Sequence, residues 1–162
     1  MQSWLALKTK YRHEKIVEAV LMKKNVQNYL PQVASQRSWS DRTKTTHFPL
    51  FPGYIFVRPL PEQYPSLRFL PGSCGLVNFS GKPAEMRNEE IESLRILVSS
   101  SETLSLHSSL MIGQNVRVVA GPLKGAEGHI VKFKNRHHLA INAIMLNKAI
   151  TVELSRLDVR RI

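Results

Sequence analysis

The chain has 162 residues, 43% of them apolar and 22% charged, too apolar for a disordered polymer and sized for one domain or two small ones. Its formal charge is +11, which points to nucleic acid, an acidic protein surface or anionic lipid as partner. No run nears the roughly 18 apolar residues of a membrane span, MQSWLALKTK lacks the basic-then-apolar layout of a signal peptide, and the single Cys74 excludes an intrachain disulfide, so a cytosolic location is expected; the chain is expected to be a monomer.

The charge is unevenly spread. Residues 1–60 hold ten Lys and Arg against Glu14, Glu18 and Asp41, so the first third carries the positive field. Residues 3–9, SWLALKT, alternate as a strand, with Leu5 and Leu7 on one face and Trp4, Ala6 and Lys8 on the other. Residues 12–24 fit a helix whose stripe is Ile16, Val17, Val20 and Leu21, ended by Asn25, which tolerates a left-handed backbone. VQNYLPQV resumes extended structure, with Pro31 suggesting an edge strand. The polar stretch 35–47 fits a long hairpin tip, and PLFPGYIFVRP, residues 49–59, its return strand. Residues 59–75 carry four prolines and fit loop or short helix, and GLVNFSG is a strand between glycines. Asn88 suits an N-cap, and Ile91, Leu94, Leu97 and Val98 recur at helical spacing, so 89–98 is expected to be a helix.

This order is β-α-β-β-β-α, an α+β sandwich on a mainly antiparallel sheet, complete near residue 98. Serine-dominated residues 99–110 fit a flexible linker. Residues 111–162 then alternate around Gly-rich turns, and four or five short strands there suggest a small closed barrel. HLAINAIMLNKA, residues 138–149, also holds good helix formers, and periodicity leaves helix and strand both open there.

With these stretches in view, the chain resembles the NusG/RfaH family of transcription elongation and antitermination factors over essentially its whole length. SWLAL and PLFPGYIFV resemble the first strand and the F-P-G-Y motif of the family's NGN domain; GQNVRVVAGPLKGAEGHIV resembles its KOW module, with Gly113, Gly121, Pro122, Gly125 and Gly128 in place. The resemblance implies an NGN domain over residues 1–98, a linker over 99–110 and a KOW barrel over 111–162, which RfaH-like members can store as a helical hairpin. It implies a non-enzymatic factor that binds the clamp helices of RNA polymerase and suppresses pausing. The KOW half would recruit ribosomal protein S ten or Rho. The compact first half leans toward the RfaH side, although PEQYPSLRFLPG offers only Ser66 where specialised members carry a hydroxyl-rich stretch. The rival reading is a ribosome-associated, RNA-binding KOW protein.

Tyr54 and Phe56 share one face of a strand and Ile55 and Val57 the other. The aromatics fit either a core or a partner face. The resemblance implies the second, with Trp4, Phe51, Tyr54 and Phe56 as an exposed polymerase-binding patch. It likewise places Lys10, Arg12 and Lys15 beside the non-template DNA strand, with Tyr11 or His13 available to a base. In the KOW half it makes Leu146 the partner contact, with Ile144 and Ile150 as core. No cofactor is implied. His137 and His138 point to opposite faces of a strand and His129 is isolated, which argues against a metal site; Cys74 has no base nearby, and GPLKG lacks the Walker spacing.

Overall fold

Alternation in the first nine residues builds β1 (Trp4–Thr9), and the apolar stripe that follows builds α1 (Glu14–Lys23). The structure, a computed structural model, describes residues 2–38, 42–154 and 158–162. It divides into two compact units, residues 1–85 and 86–162.

In the first unit, β2 (Gln27–Tyr29), β5 (Tyr54–Arg58), β1 and β6 (Ser73–Leu76) lie in the order β2-β5-β1-β6. All three pairings are antiparallel. The register sets Leu5 opposite Val57 and Leu7 opposite Ile55. These four side chains pack with Val17 and Leu21 of α1 and with Val26, Leu30, Leu67 and Leu70. Each such residue contributes about 1.5–3 kcal/mol when fully buried. Only part of the expected helical stripe is used, since Ile16 is half exposed. Asn25 ends α1 in the expected left-handed conformation, at φ 54°, and the amide of Val26 closes back on the carbonyl of Leu21 at 3.0 Å.

The hairpin expected over 35–47 is mostly ladder rather than loop. Strands β3 (Gln32–Ser38) and β4 (Thr43–Pro49) pair from Gln32↔Pro49 to Ser38↔Thr43; the tip at 39–41 lies outside the described residues. Its return strand is therefore β4, and β5 pairs instead with β1 and β2. The Ser and Thr content suggested a loop, but hydroxyl-bearing β-branched Thr fits a pleated ribbon well. A short helix, α2 (Tyr64–Leu67), and the small strands β7 (Asn78–Phe79), β8 (Lys82–Pro83) and β9 (Glu85–Met86) complete the series to the unit boundary.

The second unit begins with α3 (Asn88–Ser99). Arg87 takes the cap position expected of Asn88, and its backbone N–H donates to the Glu90 carboxylate at 2.8 Å. The chain then forms β10 (Leu104–His107), β11 (Gln114–Val118), β12 (Glu127–Phe133), β13 (Arg136–Ala143), β14 (Lys148–Glu153) and β15 (Val159–Arg161). They lie in one antiparallel sheet ordered β10-β14-β13-β12-β11-β15. Two expectations change here. Residues 104–107 of the expected linker are a strand paired with β14, because Leu104 and Leu106 alternate with Ser105 and His107 beneath the serine-rich composition. The helix expected to close the first domain clusters with the second unit, where the backbone N–H of Glu127 donates to Ser93 Oγ at 2.9 Å. Residues 138–149 resolve into β13, a short 3-10 turn and β14 rather than a helical hairpin. Leu139, Ile141, Ile150 and Val152 supply the core of that sheet.

Candidate functional site

The turn before β5 sets the aromatic residues. The amide of Tyr54 donates to the carbonyl of Phe51 at 3.1 Å, and Gly53 lies at φ +86°, a conformation that favours glycine. Phe51 and Phe56 meet edge-to-face at 5.7 Å. Pairing Ala6 with Phe56 and Lys8 with Tyr54 puts Phe56 and Tyr54 on the sheet face opposite α1. That face is not the open patch expected. Trp4 is 2% exposed, Phe51 1% and Phe56 0%, and only Tyr54 stays half-buried. The sheet is closed to solvent on both faces here, which is why YIFV is continuously apolar; alternation tells which side chains share a face, not whether that face is covered.

The corner between β1 and α1 is open. Lys10, Tyr11, Arg12 and Lys15 are exposed, Tyr11 by 78%. The corner is built by the amide of Lys10 donating to Gly72 and that of His13 to Lys10, at 2.8 and 3.1 Å. Arg12 sits in the left-handed region at φ 59°, and its guanidinium lies 5.2 Å from the Tyr11 ring centroid. Lys15 Nζ donates to the carbonyl of His47 at 2.9 Å, so this cation is held against β4. Burial raises the carboxyl of Glu18, and Lys15 beside it offsets only part of that rise. Of the two rings expected to meet a base, Tyr11 is available. His13 packs inward, its Nδ1 buried without a hydrogen-bond partner among the described residues. A Cβ on Gly72 would come within 3.1 Å of that nitrogen.

In the sequence Glu14 stands out only as one of three carboxylates in a positive field. It is buried, and it accepts the amide of Gly53 at 2.8 Å. Its position in the first turn of α1 was the signal available.

In the second unit the apolar assignments exchange places. Leu146 is 9% exposed and packs inward, Ile150 is fully buried, and Ile144 is 70% exposed. The 3-10 turn Ile144–Leu146, closed by left-handed Asn147 at φ 49°, breaks the two-residue period on which a strand argument depends. Ile144 lies at a cavity of about 320 Å³ that Glu89, Glu90, Glu127, His129 and Ile162 also line. Among the described residues, no three His, Cys, Asp or Glu side chains gather as a metal site, and no helix is long and apolar enough to cross a membrane.

A family model described as "Transcription termination factor nusG" matches residues 2–95. The chain is similar to the transcription termination/antitermination protein NusG of Treponema pallidum (strain Nichols), 28% identical over 121 residues, which are 67% of this chain and 65% of that protein. It thus spans just under two thirds of that relative's length. It is also similar to a solved structure described as "Domain interaction in Thermotoga maritima NusG", with a TM-score of 0.50 and 20% identity over 100% of this chain and 98% of that one, a likeness of fold.

Proposed function

The chain belongs to the NusG family, and from that premise we propose that it is a non-enzymatic transcription elongation and antitermination factor that rides on RNA polymerase in the cytoplasm. The observation that carries this reading is the family match over residues 2–95, which spans the first unit, runs through PLFPGYIFV and continues into α3. The first unit docks on the polymerase clamp helices through the face bearing Trp4, Phe51, Tyr54 and Phe56. Because three of these rings are closed to solvent, docking has to uncover them, and half-buried Tyr54 is the ring met first. Lys10, Arg12 and Lys15, with Tyr11 between them, contact the non-template DNA strand near that site. The second unit recruits a partner, ribosomal protein S ten or Rho, through the turn that holds Ile144 and Leu146, with Ile144 as the side chain in reach. The operon-specific, RfaH-like form of this activity is inferred from the compactness of the first unit.

Retention of core polymerase on the immobilised full chain tests the docking. Tyr54→Ala with Phe56→Ala is expected to abolish retention. Phe56 is fully buried, so Tyr54→Ala alone, with circular dichroism unchanged, keeps the test free of misfolding and is expected to weaken retention at least severalfold. Retention unchanged in both variants would refute the assignment of this face. Read-through in vitro that depends on a leader DNA sequence supports the specialised form; equal read-through on every template refutes it.

A further inference from the structure

Strands β12 and β13 are joined by Lys134 and Asn135, both left-handed at φ 51° and 61°, the geometry of a tight hairpin turn. The end of this hairpin carries Lys132, Phe133, Lys134, Arg136, His137 and His138, and no Asp or Glu occurs between Gly128 and Val152. Phe133 is 40% exposed. Its ring is flanked edge-on by His107 at 5.7 Å and by His138 at 5.8 Å, and Lys134 Nζ lies 5.5 Å from its centroid. His107 reaches this place from β10, and its Nε2 is held 2.7 Å from Thr151 Oγ1. Lys132 and Lys134 are exposed and make no ion pair among the described residues. Arg136 is paired with Glu153 at 2.7 Å.

A single exposed phenylalanine on a surface calls for no explanation. Here the ring is set in place by two imidazoles from different strands and ringed by cations. An acidic peptide would satisfy the lysines but leave the exposed face of Phe133 unused. A single-stranded nucleic acid satisfies both, since a base stacks on an aromatic while its phosphates meet lysine. We propose that the β12–β13 hairpin is a single-stranded nucleic-acid site, with Phe133 as the stacking platform between His107 and His138, and Lys132 and Lys134 as phosphate contacts. It involves none of Lys10, Arg12 and Lys15 and does not depend on the polymerase reading. RNA and DNA share the chemistry it recognises.

The test uses the full chain with Lys10→Gln, Arg12→Gln and Lys15→Gln as background, so that the first corner does not contribute. Fluorescence anisotropy with labelled oligouridylate and oligothymidylate reads binding over a range of salt. Binding to at least one probe is expected, and which probe is preferred identifies the source. Phe133→Leu should lower affinity about tenfold through lost stacking. Lys132→Gln with Lys134→Gln should reduce the log–log salt slope by about 1.4, two phosphate contacts on a single strand. Ultraviolet cross-linking of the unsubstituted chain should label a peptide containing residues 132–138, which keeps the site testable if a variant folds poorly. No binding to either probe, an affinity unchanged by Phe133→Leu, or cross-links only elsewhere overturns the site. Binding that polyglutamate displaces and Phe133→Leu leaves intact marks an acidic-protein surface and overturns it equally.

Discussion

The carboxylate of Glu14, in the first turn of α1, accepts the backbone N–H of Gly53 at 2.8 Å. The contact ties the helix to the turn that launches β5 and thereby fixes where Phe51 and Tyr54 stand. Glu14 is buried, so its loss leaves a half-buried amide without an acceptor. Glu14→Ala is expected to lower the unfolding free energy by about 1.5–3 kcal/mol in urea titration, the range for a hydrogen bond to a charged group. Glu14→Gln keeps an acceptor and should lose clearly less. Equal stability of all three proteins would mean the contact contributes nothing.

Two glycines should respond differently to the same substitution. A Cβ on Gly53 meets nothing within 4 Å, so Gly53→Ala carries only the left-handed backbone penalty, about 1–2 kcal/mol. A Cβ on Gly128 would lie 2.5 Å from the carbonyl oxygen of Ala140 on the neighbouring strand. Gly128→Ala must push β12 from β13 and is expected to cost about 3 kcal/mol or more. Thermal melts that rank the two variants the other way would show that the close approach is not a constraint.

Glu18 gives a pH dependence with a defined sign. Burial raises its carboxyl above the ordinary 4.5, against the opposing pull of Lys15. In the interval between 4.5 and the raised value the folded chain holds a proton that the unfolded chain has lost, so stability from this group falls as pH rises. Below that interval the penalty is absent. Glu18→Gln should therefore raise the melting temperature slightly at neutral pH, solvent screening keeping the effect small. The gap should close as pH drops through the carboxylate range, and a gap constant with pH would contradict the assignment.

Leu146 and Ile144 separate packing from recognition within one turn. Leu146 is nearly buried and Ile144 is 70% exposed. Leu146→Ala should destabilise by about 2–3 kcal/mol. Ile144→Ala should leave stability within about 0.5 kcal/mol while weakening capture of ribosomal protein S ten or Rho in a pull-down. Capture by Ile144→Ala equal to the parent would remove this turn from the partner surface.

Much of the chain was legible before the structure. The strand at 4–9, the helix ended by Asn25, the helix near 89–98 and the strand-rich second half all follow from period and punctuation. The misreadings share a cause. The hairpin 32–49 and the strand 104–107 carry polar, hydroxyl-rich sequences that look like loop, yet each finds a partner strand. Composition reports solubility; pairing is decided by what lies alongside.

The same division runs through the candidate sites. Residue order alone determined that Tyr54 and Phe56 share a face, that cations crowd the β1–α1 corner, and that residues 129–152 carry no acidic group. Only the tertiary structure decided that Trp4, Phe51 and Phe56 are closed to solvent, that Ile144 rather than Leu146 faces out, and that His107 reaches Phe133 from another strand. Side-chain direction follows from backbone periodicity, which is local. Exposure and convergence depend on which distant segments pack together, and no local pattern encodes that.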